Sequence, residues 1–215
     1  MSVTVSILIG SESDLDLANK CSETLSSLSI TNSIQVLSAH RTPSLLETHI
    51  KECESGGTKV FIAMAGLAAH LAGAVASKTI LPVIGVPGDG GPLNGMDALL
   101  STVQMPKGIP VATVAIGSAG AINSAYLAAQ MLGIESSDIR DSLLKVRADG
   151  VEAIKESNKK LADTYIAELF LALSQDASNK SSQGFKKLVS DSQTPKGLNM
   201  QVLNELKKGK FFTKF

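Results

Sequence analysis

The sequence predicts an α/β fold with a doubly wound, mainly parallel sheet of five strands. Short apolar runs alternate regularly with helical patterns, and the connections between them are short. Right-handed crossovers then place helices on both faces of the sheet. The predicted strands cover residues 3–9, 34–37, 59–64, 82–86 and 110–116. The predicted helices cover residues 15–28, 44–54, 67–77, 96–103 and 121–132.

Two of these helices, over residues 67–77 and 121–132, have no charged face. A helix that is apolar all round is buried on all sides. Because helices form the outer layers of this fold, such burial indicates an interface between subunits. A further amphipathic pattern runs from Ser137 to about Leu173, with a predicted break or bend at Gly150. Since it is too long to follow one small sheet, we predict a homo-oligomer.

The last 40 residues differ in charge from the rest of the chain. There are 12 basic and 17 acidic residues up to Gln175, but eight lysines and three acidic residues after it. A solvated, mobile end is the favoured interpretation, and binding to nucleic acid or to a partner is the alternative. We predict a catalytic domain over residues 1–165 and a helical extension with a basic tail over residues 166–215. Within the tail, residues 174–192 are predicted as linker and 198–206 as a short helix.

The cysteines and the uncharged stretches of the sequence argue against a secreted protein, a metalloprotein and a membrane protein. Cys21 and Cys53 lie in separate helical patterns without a CxxC pairing, which favours free thiols in a reducing cytosol over a metal site. The first strand follows Met1 without a basic segment or cleavage site, so no signal peptide is expected. The uncharged stretches 60–77 and 108–134 are divided by glycines and small polar residues into strand–turn–helix units. We therefore expect a cytoplasmic protein that binds neither membrane nor nucleic acid.

The loop after the first strand has the composition of a phosphate-binding turn. It reads Gly10-Ser11-Glu12-Ser13-Asp14. A glycine turn with hydroxyls at a helix start offers free backbone N–H groups and the positive end of a helix dipole to an anion. Asp14 could instead bind ribose hydroxyls, and the alternative is plain N-capping by Ser13 or Asp14. The loop matches neither the dinucleotide motif nor the Walker A motif, so it indicates neither a dinucleotide nor a nucleoside triphosphate.

The loop after the second strand combines an anion clamp with an acid–base group. It reads SAHRTP over residues 38–43. Ser38 and Arg41 suit an anion, and His40 can exchange protons near neutral pH. Pro43 suits the first turn of a helix, which keeps the loop short. Taken singly, Arg41 could form a surface ion pair and His40 could be an ordinary loop histidine.

The third strand ends in small residues that suit a flat ligand. The segment reads AGLAAHL over residues 65–71, and its glycine and alanines allow close approach to the backbone. His70 is equally well interpreted as a ligand contact or as a satisfied core or interface histidine, whereas His49 is expected at the surface. Ligands of open α/β sheets bind at the carboxyl ends of the strands. We therefore expect the three loops to form one site with a phosphate grip, a ribose grip, a flat-ring slot and an acid–base histidine.

Six segments of the chain together resemble one enzyme family. They read GSESD, SAHRTP, AGLAAHLAG, LPVIGVP, LLSTVQMPKGIPVATVAIG and GAINSAYLAAQ, in order between about Val3 and Lys160. The series is similar to that of the 5-(carboxyamino)imidazole ribonucleotide mutases, the class I form of the aminoimidazole ribonucleotide carboxylases of purine biosynthesis. The resemblance implies a flavodoxin-like three-layer sandwich assembled as a homo-octamer.

The resemblance also implies a role for individual residues. His40 matches the acid–base catalyst of the family. The implied substrate-binding residues are Ser11, Ser13, Asp14, Ser38 and Arg41. The implied wall around the imidazole ring and the migrating carboxylate consists of Gly66, Ala69, His70 and Leu71.

The implied reaction moves a carboxylate from the exocyclic nitrogen of the substrate to C4 of its imidazole ring. The carbamate loses CO2, the ring carbon recaptures it, and one histidine transfers the protons. No metal, ATP or biotin is expected as a cofactor. The expected partners are a small phosphoribosyl substrate and an ATP-dependent 5-(carboxyamino)imidazole ribonucleotide synthase that supplies it.

The chain departs from the family pattern at three places. Leu67 stands in place of a glycine, Ala72 stands in place of a proline, and residues 88–92 replace a loop of Val-x-Ser type. The nearest rival is the class II carboxylase that uses free CO2, which typically has lysine in place of Arg41 and Ser-Asn at residues 69–70. Further alternatives are a carboxylase acting on a pyridinium nucleotide, a flavodoxin-like binding or signalling module, and a pseudoenzyme.

Overall fold

The fold is known from a computed structural model, which describes residues 3–179. The chain divides into a unit up to Ala148 and a second unit from Asp149 onward. The first unit holds a five-stranded sheet in the order β2-β1-β3-β4-β5 in which every pair is parallel. Its strands are β1 (Val5–Ile9), β2 (Asn32–Val36), β3 (Val60–Ala65), β4 (Val83–Pro87) and β5 (Ala112–Thr113). The predicted parallel α/β sheet is confirmed.

The helices of the first unit lie on both faces of the sheet, which confirms the predicted three layers. The helices are α1 (Leu15–Ser27), α2 (Pro43–Gly56), α3 (Leu71–Ala76), α4 (Met96–Val103), α5 (Gly117–Leu132) and α6 (Ser137–Asn179), most of which belongs to the second unit. On one face, α1 and α5 pack on alternate residues of β1 such as Ile7. On the other face, α2 and α3 pack on Leu8. Because both faces are covered, β1 and β4 are buried along their whole length and β3 along all but its last residue.

Strand β5 is shorter than predicted. Only Ala112 and Thr113 pair with β4, although the sequence predicts a strand over residues 110–116. The register would next bring Val114 opposite Val86 and then Ala115 opposite Pro87, the last residue of β4, which has no N–H to donate. The N–H of Val114 still donates to the carbonyl of Gly85 at 3.1 Å, but the chain is not paired as a strand beyond Thr113.

Helix α3 is also shorter than predicted, beginning at Leu71 and not at Leu67. Leu67 has a φ of +55°, in the left-handed region, which a right-handed helix cannot include. The next turn is held by tight hydrogen bonds from the N–H of Ala69 to the carbonyl of Leu67 (2.9 Å) and from the N–H of His70 to the carbonyl of Ala68 (2.7 Å).

Two predictions for the C-terminal part are wrong within the described residues. Helix α6 continues through Gly150 without a break, since a glycine weakens a helix without ending it, and the alternative of a bend there stays a prediction. The helix also extends to Asn179, so residues 174–179 are helical and do not form a linker. The predicted helix over residues 198–206 and the rest of the tail lie outside the described residues. The predicted domain boundary after residue 165 stays a prediction.

His49 is half-buried, which corrects the expectation of a surface residue. Its Nε2 lies 3.2 Å from Oγ of Ser6 and 3.2 Å from Sγ of Cys53. Burial is the main cause of the lowered pKa of His49. His49 thus faces the sheet and gives the buried hydroxyl of Ser6 on β1 a polar partner. The predicted free thiols are confirmed for Cys21, which is buried, and for Cys53, which is half-buried.

Candidate active site

A cleft of about 770 Å³ lies at the carboxyl edge of the sheet. The loops after β1, β2, β3 and β4 line it together with the start of α5. It lies where the strand order reverses, with β2 on one side of β1 and β3 on the other, which is where open α/β sheets bind ligands. The predicted convergence of the three loops is therefore confirmed. Of the predicted site residues, those that line the cleft are Ser11, Ser13, Asp14, Ser38, His40, Arg41, Gly66, His70 and Leu71.

One predicted site residue, Ala69, does not line the cleft. Only 2% of its surface is exposed, because it lies under the loop on the core side. Its contribution is to the packing beneath the wall. The cleft surface there comes from Gly66 and Leu67 before it and His70 after it.

The loop after β1 forms a short 3₁₀ turn over Glu12–Asp14. Oγ of Ser11 accepts a hydrogen bond from the N–H of Ser13 at 3.4 Å. Asp14 is the N-cap residue of α1 but makes no side-chain capping bond, so the capping alternative is wrong for the Asp14 side chain. For Ser13 the capping alternative stays a prediction. Burial raises the pKa of the Asp14 carboxyl group. A hydrogen bond with the backbone of Ser11 partly opposes that rise. The carboxyl group of Asp14 is thus left available to a ligand.

The loop after β2 is a closed hydrogen-bonded turn. The hydroxyl of Thr42 accepts from the N–H of Ser38 at 3.0 Å and donates to the carbonyl of Ser38 at 3.1 Å. Oγ of Ser38 in turn accepts from the N–H of Arg41 at 3.2 Å. Pro43 begins α2 directly after this turn, as predicted. The turn fixes the backbone on both sides of His40.

The guanidinium of Arg41 is anchored and still largely unoccupied. Its Nη2 donates to the carbonyl of Gly10 at 2.9 Å, which ties the loop after β2 to the loop after β1. A guanidinium has five N–H donors in a planar fork, so most of them remain for an anion. Arg41 therefore lies between two loops that both present hydroxyl groups to the cleft.

Two histidines meet across the cleft. Nε2 of His40 lies 3.2 Å from Nδ1 of His70, and the rings stand nearly edge-on, with centroids 5.1 Å apart and an interplanar angle of 78°. In such a hydrogen bond only one of the two nitrogens carries a proton, because two N–H groups would repel each other. The contact therefore places one N–H proton between the two rings, where the loops after β2 and β3 meet.

The loop after β4 approaches the loop after β3 very closely. The N–H of Gly88 donates to the carbonyl of Ala65 at 2.9 Å. A Cβ at position 88 would lie 3.1 Å from Cα of Gly66, so glycine at 88 allows the two backbones to touch. This contact builds one continuous side of the cleft from two loops.

Several cleft residues were not among the predicted site residues. They are Gly10, Asp16, Leu17, Lys20, Ala39, Ala65, Leu67, Ala68, Gly88, Asp89, Gly90, Gly91 and Ser118. The most informative are Lys20 of α1 and Ser118 of α5, since Nζ of Lys20 donates to Oγ of Ser118 at 2.7 Å. Ser118 directly follows the end of the fifth predicted strand, which is the signal that would have found it. Lys20 lies inside a helix, and no local motif marks it.

The charges around the cleft are mixed. Arg41 and Lys20 are the cations, and the carboxylates belong to Asp14, Asp16 and Asp89. Among residues 3–179 there is no cluster of three histidine, cysteine or acidic side chains that could hold a metal ion. The same part of the chain contains no helix both long and apolar enough to cross a membrane. An anionic ligand would be held at the two cations.

Comparison with known proteins identifies the family. The sequence model of the AIR carboxylase family matches residues 4–153. The chain belongs to the AIR carboxylase family. The cleft described above thus lies within the part of the chain that defines the family, whereas most of α6 lies at or beyond its end.

Named relatives agree with this assignment. The N5-carboxyaminoimidazole ribonucleotide mutase of Pseudomonas aeruginosa is 46% identical over 157 residues, covering 73% of this chain and 96% of that protein. The enzyme of the same name from Bacillus subtilis is 45% identical over 161 residues, covering 75% of this chain and 99% of that protein. The crystal structure of Treponema denticola PurE superposes with a TM-score of 0.68 at 31% identity, covering 73% of this chain and 97% of that chain. The flavodoxin-like fold that the sequence implies is confirmed.

Proposed function

We propose that this member of the AIR carboxylase family is an N5-carboxyaminoimidazole ribonucleotide mutase of purine biosynthesis. It converts 5-(carboxyamino)imidazole ribonucleotide into 4-carboxy-5-aminoimidazole ribonucleotide and is therefore an isomerase. The two relatives with this name align with this chain over nearly their whole length. The observation that carries the proposal is the position of His40, which a closed turn holds beside an anchored arginine and within hydrogen-bond distance of His70.

Substrate binding is assigned to the loops after β1 and β2. The phosphate is held by Arg41 and by the hydroxyls of Ser38, Ser11 and Ser13, all of which line the cleft. The carboxylate of Asp14 accepts hydrogen bonds from the ribose hydroxyls. Anchoring these remote groups orients the imidazole ring towards the histidines and lowers the entropic cost of reaction.

The ring and the migrating carboxylate lie against the third loop. Gly66 offers a surface without a side chain, while Leu71 and the ring of His70 lie at the end of this wall. Ala69 supports the wall from the core. A flat ring fits here because the backbones at Gly66 and Gly88 are in close contact and leave no side chain between them.

His40 moves the protons of the reaction. In the first step it donates a proton to the carbamate nitrogen, the N–C bond breaks with its electron pair remaining on nitrogen, and CO2 is released within the cleft. In the second step C4 of the electron-rich ring attacks CO2, a C–C bond forms, and His40 takes the proton from C4. One proton is given and one is recovered, so the enzyme ends in its starting state. The hydrogen bond to His70 keeps the His40 ring oriented between the steps.

The class II carboxylase is the rival that the side chains disfavour. Arg41 and the Ala69-His70 pair are the residues that favour class I in the sequence, and Arg41 and His70 both face the cleft. No cofactor is needed for the steps above, since CO2 comes from the substrate itself.

The proposal also covers the assembly of the protein and the enzyme that supplies its substrate. We infer a homo-octamer in the cytoplasm, supplied with substrate by an ATP-dependent 5-(carboxyamino)imidazole ribonucleotide synthase. Large apolar side chains exposed along α6 support assembly, since Leu144 is 59% exposed and Leu161 is 66% exposed. On α5, which has no charged face, Ile122 is 38% exposed.

The proposal is tested by offering the purified protein both possible substrates without ATP. We expect rapid conversion of 5-(carboxyamino)imidazole ribonucleotide in bicarbonate-depleted buffer, above the spontaneous rate of an enzyme-free sample. Aminoimidazole ribonucleotide with bicarbonate should be carboxylated far more slowly. The reverse preference would assign the chain to the class II reaction, and turnover of neither compound would reject both.

A further inference from the structure

Leu67 combines two features that are unfavourable for a leucine. Its φ of +55° is a conformation that branched residues rarely adopt, because the side chain crowds the following carbonyl. Its side chain is also 54% exposed to solvent and lines the cleft. Residues held in this way are found where surrounding structure or function requires them.

The neighbouring loop provides the surrounding structure. Gly91 has a φ of +89°, and a Cβ at that position would overlap Cδ2 of Leu67. The Leu67 side chain thus fills the space that a side chain at 91 would take. The loops after β3 and β4 are shaped to each other at this contact, and together they hold Leu67 at the mouth of the cleft.

The position of Leu67 relates it to the reacting groups. It follows Gly66, whose bare backbone faces the ring in the proposed function, and it precedes His70 by three residues. Nδ1 of His70 reaches Nε2 of His40 at 3.2 Å. Leu67 therefore lines the same cleft as the two histidines, on the loop that carries His70.

We infer that Leu67 is a positioning residue that keeps CO2 in the cleft between the two half-steps. The inference rests on the proposed function. Between breaking of the N–C bond and formation of the bond to C4, CO2 is attached to nothing, and it is a small neutral molecule without a hydrogen-bond donor. A branched apolar side chain at the mouth favours its retention and excludes water. Leu67 gives and takes no proton, so the balance of the reaction is unchanged.

The test measures how each enzyme partitions its substrate. 5-(Carboxyamino)imidazole ribonucleotide is supplied in bicarbonate-depleted buffer, and the initial rates of free aminoimidazole ribonucleotide and of the C4-carboxylated product are recorded after subtraction of an enzyme-free sample. For Leu67→Ala we expect the ratio of free to carboxylated product to rise about tenfold, since loss of one branched apolar side chain commonly has an effect of that size. Leu93→Ala is the matched control, because Leu93 is 59% exposed and does not line the cleft. A wild-type ratio in Leu67→Ala would overturn the inference.

A second variant moves the same side chain without changing it. Gly91→Ala should displace Leu67 and raise the ratio, and it should add nothing further in a protein that already carries Leu67→Ala. Gly108→Ala is its control, since Gly108 has a φ of +95° with no atom near its Cβ position. Additive effects of the two substitutions would show that Leu67 does not act through its contact with Gly91, and would overturn the inference.

Failure of the inference is distinguishable from failure of the proposed function. If wild-type protein converts the substrate and all variants partition it alike, only the inferred role of Leu67 is rejected. If wild-type protein does not convert the substrate, the role of Leu67 and the proposed function are both rejected. A change in the size-exclusion elution of Leu67→Ala would assign the side chain to assembly, and would likewise overturn its role in retention.

Discussion

The loops after β2 and β3 each present a histidine to the cleft, but they hold it by different means. The loop over residues 38–43 is closed by side-chain hydrogen bonds between Ser38 and Thr42. The loop over residues 66–70 makes no such bonds and is shaped by the left-handed backbone of Leu67 and two tight backbone turns. The loop over residues 38–43 is therefore held largely by its own hydrogen bonds, whereas the loop over residues 66–70 depends on the residues that pack against it.

The largest expected effect separates the roles of the two histidines. His40→Asn should retain substrate binding and lose roughly 10³-fold in kcat, since general acid–base catalysis typically contributes that much. His70→Asn should lose far less, because its ring orients His40 and does not carry the transferred proton. Initial rates over a range of substrate concentrations and pH would show this. Equal losses in both variants would contradict the assignment of the proton to His40.

The next effect concerns Arg41, the anchored arginine of the loop over residues 38–43. Arg41→Ala should raise KM roughly tenfold to a hundredfold through loss of a charge-assisted contact with the phosphate, and leave kcat less affected. Arg147→Ala is the control, since Arg147 is exposed on α6 and away from the cleft. An unchanged KM for Arg41→Ala in steady-state kinetics would remove Arg41 from phosphate binding.

The hydrogen bonds that close the loop over residues 38–43 should make the stability of the protein sensitive to loss of the Thr42 hydroxyl. Thr42→Val keeps the shape of the side chain but removes a donor and an acceptor, and should lower the free energy of unfolding by about 1–2 kcal/mol. Thr48→Val is the matched control, because the Thr48 hydroxyl bonds only to a carbonyl one turn back on an exposed helix face. Denaturant unfolding measures both. Equal effects would show that the loop is held by something other than its own turn.

The smallest effect is a dependence of stability on pH through Asp14. Burial raises the pKa of Asp14 above its ordinary value of 3.8, so the folded protein binds this proton more tightly than the unfolded chain. Ionising the carboxyl group therefore costs stability as the pH rises above that value, and the cost is absent at lower pH. Asp14→Asn should show a slightly higher Tm than wild type at neutral pH, with the difference shrinking on acidification, while substrate binding weakens. A difference in Tm that does not change with pH would contradict this account.

The fold and the first loop follow from signals that lie close together in the sequence. Alternating apolar runs define the strands, and Pro43 with the neighbouring hydroxyls defines a short turn before α2. His40 and Arg41 could be predicted as site residues for the same reason. The backbone of both is fixed by residues within a few positions of them and by the edge at which strand β2 ends.

The details that the sequence did not predict depend on distant residues. The late start of α3 follows from the left-handed Leu67, which is accommodated by Gly91 on another loop. His49 is half-buried because Ser6 of β1 lies beside it in the folded chain. Lys20 reaches the cleft through Ser118, 98 positions away. None of these pairings leaves a periodic or local pattern in the sequence.

The central claim is that His40 and the surrounding loops transfer the substrate's own carboxylate. It is tested most directly by supplying 5-(carboxyamino)imidazole ribonucleotide labelled with carbon-13 at the carbamate carbon, together with unlabelled bicarbonate at the same concentration. Mass spectrometry of the product formed by the wild-type protein should show the label retained at the new carboxylate, with His40→Asn forming little product. A product that contains mainly unlabelled carbon would show that the enzyme takes free CO2 from solution, and would contradict the account.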